Sequence, residues 1–496
     1  MRDRSLVYAP LGIAAVAVTR ILCRSHLLYD VDSVNFALGM ARFDPAAHQP
    51  HPPGYFLYVC LGRFVNLFLP DPNSALVAIG IAASCGAAWM IYLLTRLWFG
   101  QRAAWMSILL FLVSPLCWFH GIVALTYIVE AFFSALIGYF CWRAYSGEKA
   151  FLLPASIAFA LAAGFRPSGA LLLAPLWLFA IRRARGTRLL LAIGAVVVVA
   201  FAWFLPMTAS AGGVRPYFDA LLQLWRTVPG RRTTLSSPWL AVARILTMAW
   251  IFVLCFGTAS VVTVWSRAKT EVNKVRRAFI WAWIVPGMLF FALVFLSFVN
   301  SGYLLVLCPP AFAFLADRLA SFVSSGDHRP VRWAAVTVGV AANCMWFFFA
   351  PLYCSYKSVR KFETDLTAIT QDFGNNLDPN TTLIVGFDSH FLGYRHAGYY
   401  LPHFVVVQYP EVTYPGGKRV FAMHDRNTDV VRHLPVAHCE RFVFYPLPQT
   451  REDAAYLETV LARLPRGSVE TATVGRRKVL TGSVSLLPLL FPETSR

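Results

Sequence analysis

Eleven apolar runs constrain this chain more than any other feature, most of them close to the ~20 residues a helix needs to cross the hydrocarbon of a bilayer. They cover residues 6–23, 74–95, 103–119, 122–142, 150–165, 168–181, 189–208, 239–265, 278–298, 302–317 and 333–352, with 103–119, 150–165 and 168–181 among the shortest. The fold class they predict is a polytopic α-helical membrane protein of about 11 transmembrane helices. Composition agrees, because only 14% of the residues are charged, against about 25% in an ordinary soluble domain.

Charge gives the runs a direction. The formal net charge of +19 would by itself suit nucleic acid. From Tyr353 onward, however, 16 Lys and Arg stand against 14 Asp and Glu, so the excess belongs to the apolar part. There the basic residues cluster between runs, as topology signals do, and nucleic acid is excluded as a partner. With the N-terminus cytoplasmic, the short inside segments hold 18 Lys and Arg, and the longer outside loops only eight: Arg24, Arg42, Arg63, Arg166, Arg215, Arg226, Arg231 and Arg232. An odd number of spans then places the tail outside. Residues 1–352 read as the transmembrane domain, with a first outer loop at 24–73, and residues 353–496 as an extracytoplasmic soluble domain on an inner or plasma membrane. Leu6–Cys23 follows Arg2 and Arg4 without a small-residue cleavage site before Ser25, and reads as an uncleaved first span.

The first outer loop is polar at its start and apolar from Tyr55 to Leu69, a segment suited to the membrane interface. In the tail, Thr382–Phe387, Phe404–Gln408, Arg419–Met423 and Arg441–Tyr445 read as strands, and Ala454–Leu464 as a helix with Leu457, Leu461 and Leu464 on one face. The tail is therefore a small α/β domain. Eight of the ten cysteines lie in or beside apolar runs as packing residues, and only Cys354 and Cys439 fall in the tail, where an outside location would permit a disulfide.

Carboxylates are few in the membrane part, and four of them, Asp30, Asp32, Asp44 and Asp71, share the first outer loop. Asp30 and Asp32 follow the first span closely. A carboxylate at the membrane rim suits the deprotonation of an acceptor hydroxyl, although on position alone two aspartates in a polar loop are more readily just solvated.

Tyr29-Asp30-Val31-Asp32-Ser33-Val34-Asn35-Phe36-Ala37, followed by His51-Pro52-Pro53-Gly54-Tyr55-Phe56-Leu57-Tyr58, resembles the first outer loop of the GT-C-fold membrane glycosyltransferases. These include the protein O-mannosyltransferases and lipid A aminoarabinose transferases. The His-Pro-Pro-Gly-Tyr form is most similar to a mannosyltransferase-like branch whose acidic motif runs Asp-Ser-Gly-Glu-Phe; Asp32 and Ser33 match it, and Asn35 stands in the place of the Glu. Ser114-Pro115 and Gly164-Phe165-Arg166-Pro167 extend the resemblance over the first 180 residues or so. It implies a polyprenyl-phosphate sugar donor, a catalytic base in the first outer loop (Asp32, with Asp30 the alternate) and an extracytoplasmic C-terminal domain.

On the donor side, the resemblance implies a phosphate contact for His51, beside Tyr55, with a turn histidine before a Pro-Pro bend the competing reading. Glu130, close to Thr126 and Tyr127, is an intramembrane carboxylate and so a functional candidate, or else a structural hydrogen-bond partner between helices. Arg166 suits a lipid phosphate or snorkels at the interface. Arg231 and Arg232 suit membrane lipid headgroups first and the donor second. Asp30-Val31-Asp32 offers too few oxygens for a hard cation, so neither a metal nor an organic cofactor is expected. The function expected is sugar transfer from a polyprenyl-phosphate donor to a hydroxyl of a protein, glycan or lipid acceptor. Its rivals are a transporter or flippase of lipid-linked glycans and a non-catalytic binding protein of the same fold.

Overall fold

The computed structural model describes residues 5–45, 48–227, 238–257, 273–324, 329–387, 389–409, 412–414, 417–424, 427–431, 439–445, 451–462 and 464–490. Two compact units divide the chain: Met1–Ser25, Tyr55–Val214 and Leu224–Val359 form one, and His26–Gly54, Arg215–Gln223 and Arg360–Arg496 the other.

The first unit is helical. Six of its described helices are long and apolar enough to cross a membrane: Pro72–Phe99, Thr187–Ser210, Trp239–Phe256, Lys274–Leu293, Val299–Ser324 and Arg329–Phe349. They coincide with six of the eleven apolar runs. The other five runs lie on Ser5–Cys23 (α1), Gln101–Leu112 followed by Pro115–His120, Tyr127–Tyr145, Leu152–Phe165 and Pro167–Ile181. Pro72–Phe99 buries 61% of its apolar window inside the protein and Thr187–Ser210 only 11%, which separates an inner helix from a peripheral one. On the peripheral helix Leu190, Val198, Phe201 and Leu205 face outward, a surface that suits lipid and not water. Small residues let the helices approach: a Cβ on Gly138 would sit 2.0 Å from the Trp283 ring, whose Nε1 donates to Ser134 Oγ at 2.9 Å.

The run 103–119 is two helices. Ser114 Oγ accepts from the Cys117 N–H at 3.3 Å and Pro115 opens the second helix. The carbonyls released at the break are taken by Arg20 of α1, fully buried, which donates to Leu112 O at 2.9 Å and Phe111 O at 3.2 Å. A buried guanidinium here serves as a helix C-cap.

The second unit is built on an eight-stranded sheet. Its strands are β1 (Thr382–Phe387), β2 (Val405–Tyr409), β3 (Val412–Tyr414), β4 (Gly417–His424), β5 (Asn427–Val431), β6 (Arg441–Tyr445), β7 (Val469–Val474) and β8 (Arg477–Ser483). The order is β3-β4-β2-β1-β6-β8-β7, with β5 also on β4. Only β2-β1-β6 is parallel, with Leu383 opposite both Val405 and Phe442. These three strands are three of the four apolar runs of the tail, as expected of parallel strands covered on both faces, and the fourth, Arg419–Met423, lies in the antiparallel β4. Leu383, Val385, Val407, Phe442 and Phe444 form one core face with Leu457 and Leu464. On the other, Gly386 lies against Tyr394, where a Cβ would come within 2.6 Å of its Cα. The helix expected at Ala454–Leu464 is Arg451–Leu461. All ten cysteines are free thiols; Cys354 is buried against Ser301 Oγ at 3.3 Å and makes no disulfide with Cys439.

Candidate functional site

The expected site residues fall into two groups, one in each unit. The first is built where residues 26–31 run along the β1–β2 crossover. Three backbone N–H groups of this stretch are taken from outside it: His26 by Glu363 Oε1 (2.5 Å), Leu28 by the Tyr400 hydroxyl (2.8 Å) and Val31 by the His390 carbonyl (2.9 Å). The Tyr29 ring is edge-on to Phe362 at 5.0 Å and to Phe391 at 5.2 Å.

Asp30 ends this stretch as the N-cap of helix α2 (Val31–Ala41). Its Oδ1 accepts from the Asp32 N–H at 2.9 Å, and the Ser33 hydroxyl accepts from the Asp30 N–H at 3.4 Å, closing a capping box. Its Oδ2 is 3.8 Å from His390 Nδ1. Burial pushes the Asp30 carboxyl above the usual carboxylate range; His390 pulls the other way and the neighbouring Asp32 charge adds to the rise. Asp30 is 4% exposed, so its oxygens are engaged in holding the helix start.

Asp32, one residue into α2, is partly exposed and turned to His51, Oδ1 to Nδ1 at 3.2 Å. The loop bearing His51 is braced on α2. Asp44 and Gln49 exchange backbone hydrogen bonds at 2.7 and 2.9 Å, and the Gln49–Pro50 and Pro52–Pro53 peptides are cis. A Cβ on Gly39 would meet Pro50 Cδ at 2.8 Å, so the loop packs directly on the helix. Gly54 closes the turn at φ +99°, a conformation that favours glycine, and the Tyr217 hydroxyl donates to the Pro53 carbonyl at 3.1 Å. His48 is held neutral, its pKa lowered to about 3 by desolvation and then by the Arg395 charge. Arg395 is itself buried, with Nε on the Tyr394 hydroxyl at 2.7 Å.

The second group lies in the helical unit. Arg166, at the joint between Leu152–Phe165 and Pro167–Ile181, is 4% exposed. Its Nε is 3.1 Å from Glu130 Oε2, an ion-pair distance without hydrogen-bond alignment, and Nη1 donates to Thr126 Oγ1 at 2.6 Å. The guanidinium carbon is 4.4 Å from the ring centres of both Tyr127 and Tyr303, and 5.6 Å from that of Tyr55. Two glycines admit this packing: a Cβ on Gly169 would fall 1.8 Å from Glu130 Oε1, and one on Gly302 would fall 2.2 Å from the Tyr127 ring. Arg166 therefore does not snorkel; it is an interior cation with a carboxylate beside it and aromatic rings around it. Arg231 and Arg232 lie outside the described residues.

Reasoning from sequence missed His48, Glu363, His390, Arg395 and Tyr400 around the acidic motif and Tyr303 around Arg166. The signal for His390 and Arg395 was their place just after β1, at the carboxyl end of a parallel strand, where α/β sheets carry their sites. Asn35, one turn beyond Asp32, is buried, and its Oδ1 has no hydrogen-bond partner among the described residues. No group of three or more metal-ligating side chains occurs among the described residues.

Among solved structures, the chain is similar to ArnT from Cupriavidus metallidurans in the apo state, with a TM-score of 0.57 and 13% identity over 98% of this chain and 99% of that one. It is similar also to the same protein bound to undecaprenyl phosphate, with a TM-score of 0.54 and 14% identity over 97% and 98% of the two chains. No protein-family model matches the sequence, and no curated protein matches it. The likeness establishes the fold that the acidic and His-Pro-Pro-Gly-Tyr motifs imply: the chain has the GT-C fold over nearly its whole length.

Proposed function

We propose that this chain is a glycosyltransferase that moves a sugar from a polyprenyl-phosphate donor to an acceptor hydroxyl on the extracytoplasmic face of a membrane. The observation that carries the reading is the 3.2 Å pairing of Asp32 with His51, on two elements braced at Gly39, in a chain of GT-C fold. Asp32 acts as the base. It takes the acceptor's hydroxyl proton as that oxygen bonds to the anomeric carbon, while the bond from that carbon to the phosphate oxygen breaks and the electron pair leaves with the polyprenyl phosphate. His51 orients the Asp32 carboxylate and faces the phosphate. The step as written needs no metal and no organic cofactor, and Asp30, engaged in capping, is not free to share a cation with Asp32. In the helical unit Arg166, Glu130, Tyr127 and Tyr55 are the donor-side group, offering a fixed cation and ring faces to the lipid-linked sugar.

An eleven-span topology with the C-terminal domain outside belongs to this reading. The charge asymmetry between loops supports it. So does the membership of residues 26–54 and 360–496 in one compact unit, since both must then lie on the same side. The C-terminal domain binds the acceptor or covers the site, and Arg231 and Arg232 meet lipid headgroups.

The test is to reconstitute the protein in liposomes, supply a panel of polyprenyl-phosphate sugars, and follow polyprenyl phosphate release by mass spectrometry. Release that depends on both protein and acceptor is the expected result. Binding of a donor without release would favour the non-catalytic reading that Asn35, in place of Glu, suggests. Movement of intact donor between leaflets would favour a flippase.

A further inference from the structure

The first-loop residues 28–31 meet one short stretch of the C-terminal domain, residues 390–400, and His390 meets the helix start that presents Asp32 from two sides. Its carbonyl accepts the Val31 N–H at 2.9 Å, and its Nδ1 stands 3.8 Å from Asp30 Oδ2, while the other oxygen of the same carboxylate caps the Asp32 N–H at 2.9 Å. The cap, the base and the C-terminal domain are thus linked through a single carboxylate. Phe391 and Tyr400 fix the flanking residues Tyr29 and Leu28.

We propose that His390 is a positioning residue for the transfer reaction, acting on Asp32 through Asp30, so that the C-terminal domain is part of the catalytic centre and not only a cover for it. This rests on the assignment of Asp32 as the base. The charged and titratable groups around Asp30 are Asp32 on its own helix and His390 on the crossover. His390 favours the Asp30 carboxylate, as a side-chain donor first, against the burial that would otherwise drive it to take up a proton. Without that partner Asp30 binds its proton at higher pH, and the cap passes from a charged to a neutral acceptor.

Three variants at this position separate positioning from folding. His390→Asn keeps a donor where Nδ1 stands, His390→Ala removes it, and His390→Phe keeps bulk alone; all three keep the backbone carbonyl. With the full-length protein in liposomes and the donor that the panel identifies, His390→Ala and His390→Phe should lose about 10-fold or more in kcat with KM for the donor changed by less than about 3-fold. The acid limb of their kcat–pH profiles should move to higher pH, and His390→Asn should recover most of the rate. Hydrogen exchange at the Val31 and Asp32 amides supplies a readout independent of turnover, and should quicken in the Ala and Phe variants and not in Asn. Wild-type kcat and pH profile in His390→Ala would overturn the proposal, as would unchanged exchange at those amides. If no donor is turned over by the wild type, the glycosyltransferase reading fails, and unequal exchange in the Ala and Asn variants still decides whether His390 positions the helix.

Discussion

At the scale of single residues, the two carboxylates of the acidic motif have been given different work by their surroundings. Asp30 is buried and caps a helix; Asp32 is open and paired with histidine. Replacing Asp30 by Ala should therefore lower stability by about 1 kcal/mol, the usual worth of an N-cap, read as a shift in thermal midpoint. His51→Ala should leave the fold intact while slowing transfer by about 10-fold or more, seen as a kcat effect at saturating donor. In the helical unit, Arg166→Leu leaves Glu130 buried beside no cation. It should destabilise by about 3–5 kcal/mol, and the double variant with Glu130→Gln should recover much of that loss. Measured melting in detergent would show it, and equal melting of single and double variants would contradict the pairing. The motif residues were legible because they are polar islands between apolar runs. Their partners were not: His390 and Arg395 lie more than 300 residues further on, and nothing local ties them to Asp30 or His48.

At the scale of elements, what could be read was whatever carried a continuous apolar signal. The three parallel strands bury both faces and the long helices set apolar side chains both inward and outward, so their sequences are unbroken runs. The β7–β8 hairpin is half exposed and mixes Thr, Glu, Lys and Arg, which left no run to see. The break at Ser114-Pro115 fell inside a run read as one span, and its stabiliser Arg20 comes from a different helix. One element carries a pH dependence. His396, on the short helix Tyr394–Tyr400, is wholly buried against Phe362, and burial lowers its pKa from 6.5 to about 4. Between those values the unfolded chain holds the extra proton, so this contribution is complete above the unfolded pKa and drains away as pH falls towards 4. The loss amounts to about 3 kcal/mol across that window. Asp30, raised by burial, has the opposite slope. The stability of the full-length protein should fall from pH 7 to 4.5, and His396→Phe should flatten that fall; an identical fall in the variant would remove His396 as its source.

At the scale of the whole molecule, the chain is interleaved and not simply a membrane part followed by a soluble part. Residues 26–54 and 215–223, which sequence order places among the spans, belong with the C-terminal sheet. Periodicity could not reveal this, because it reports each segment's own surface and not its distant partner. Truncation after residue 359 should accordingly expose the 26–54 loop to proteolysis, and protection of that loop in the truncated protein would contradict the unit described. The same grouping puts the acidic motif and the C-terminal sheet in one compact unit. The claim on which all of this converges is that Asp32 is the base of a sugar transfer. Its most direct test is single-turnover transfer from a polyprenyl-phosphate sugar by Asp32→Asn, an isosteric change that keeps the helix cap and the fold. The rate should fall by about 10²–10⁴-fold with donor binding retained, whereas transfer at the wild-type rate would rule out Asp32 as the base.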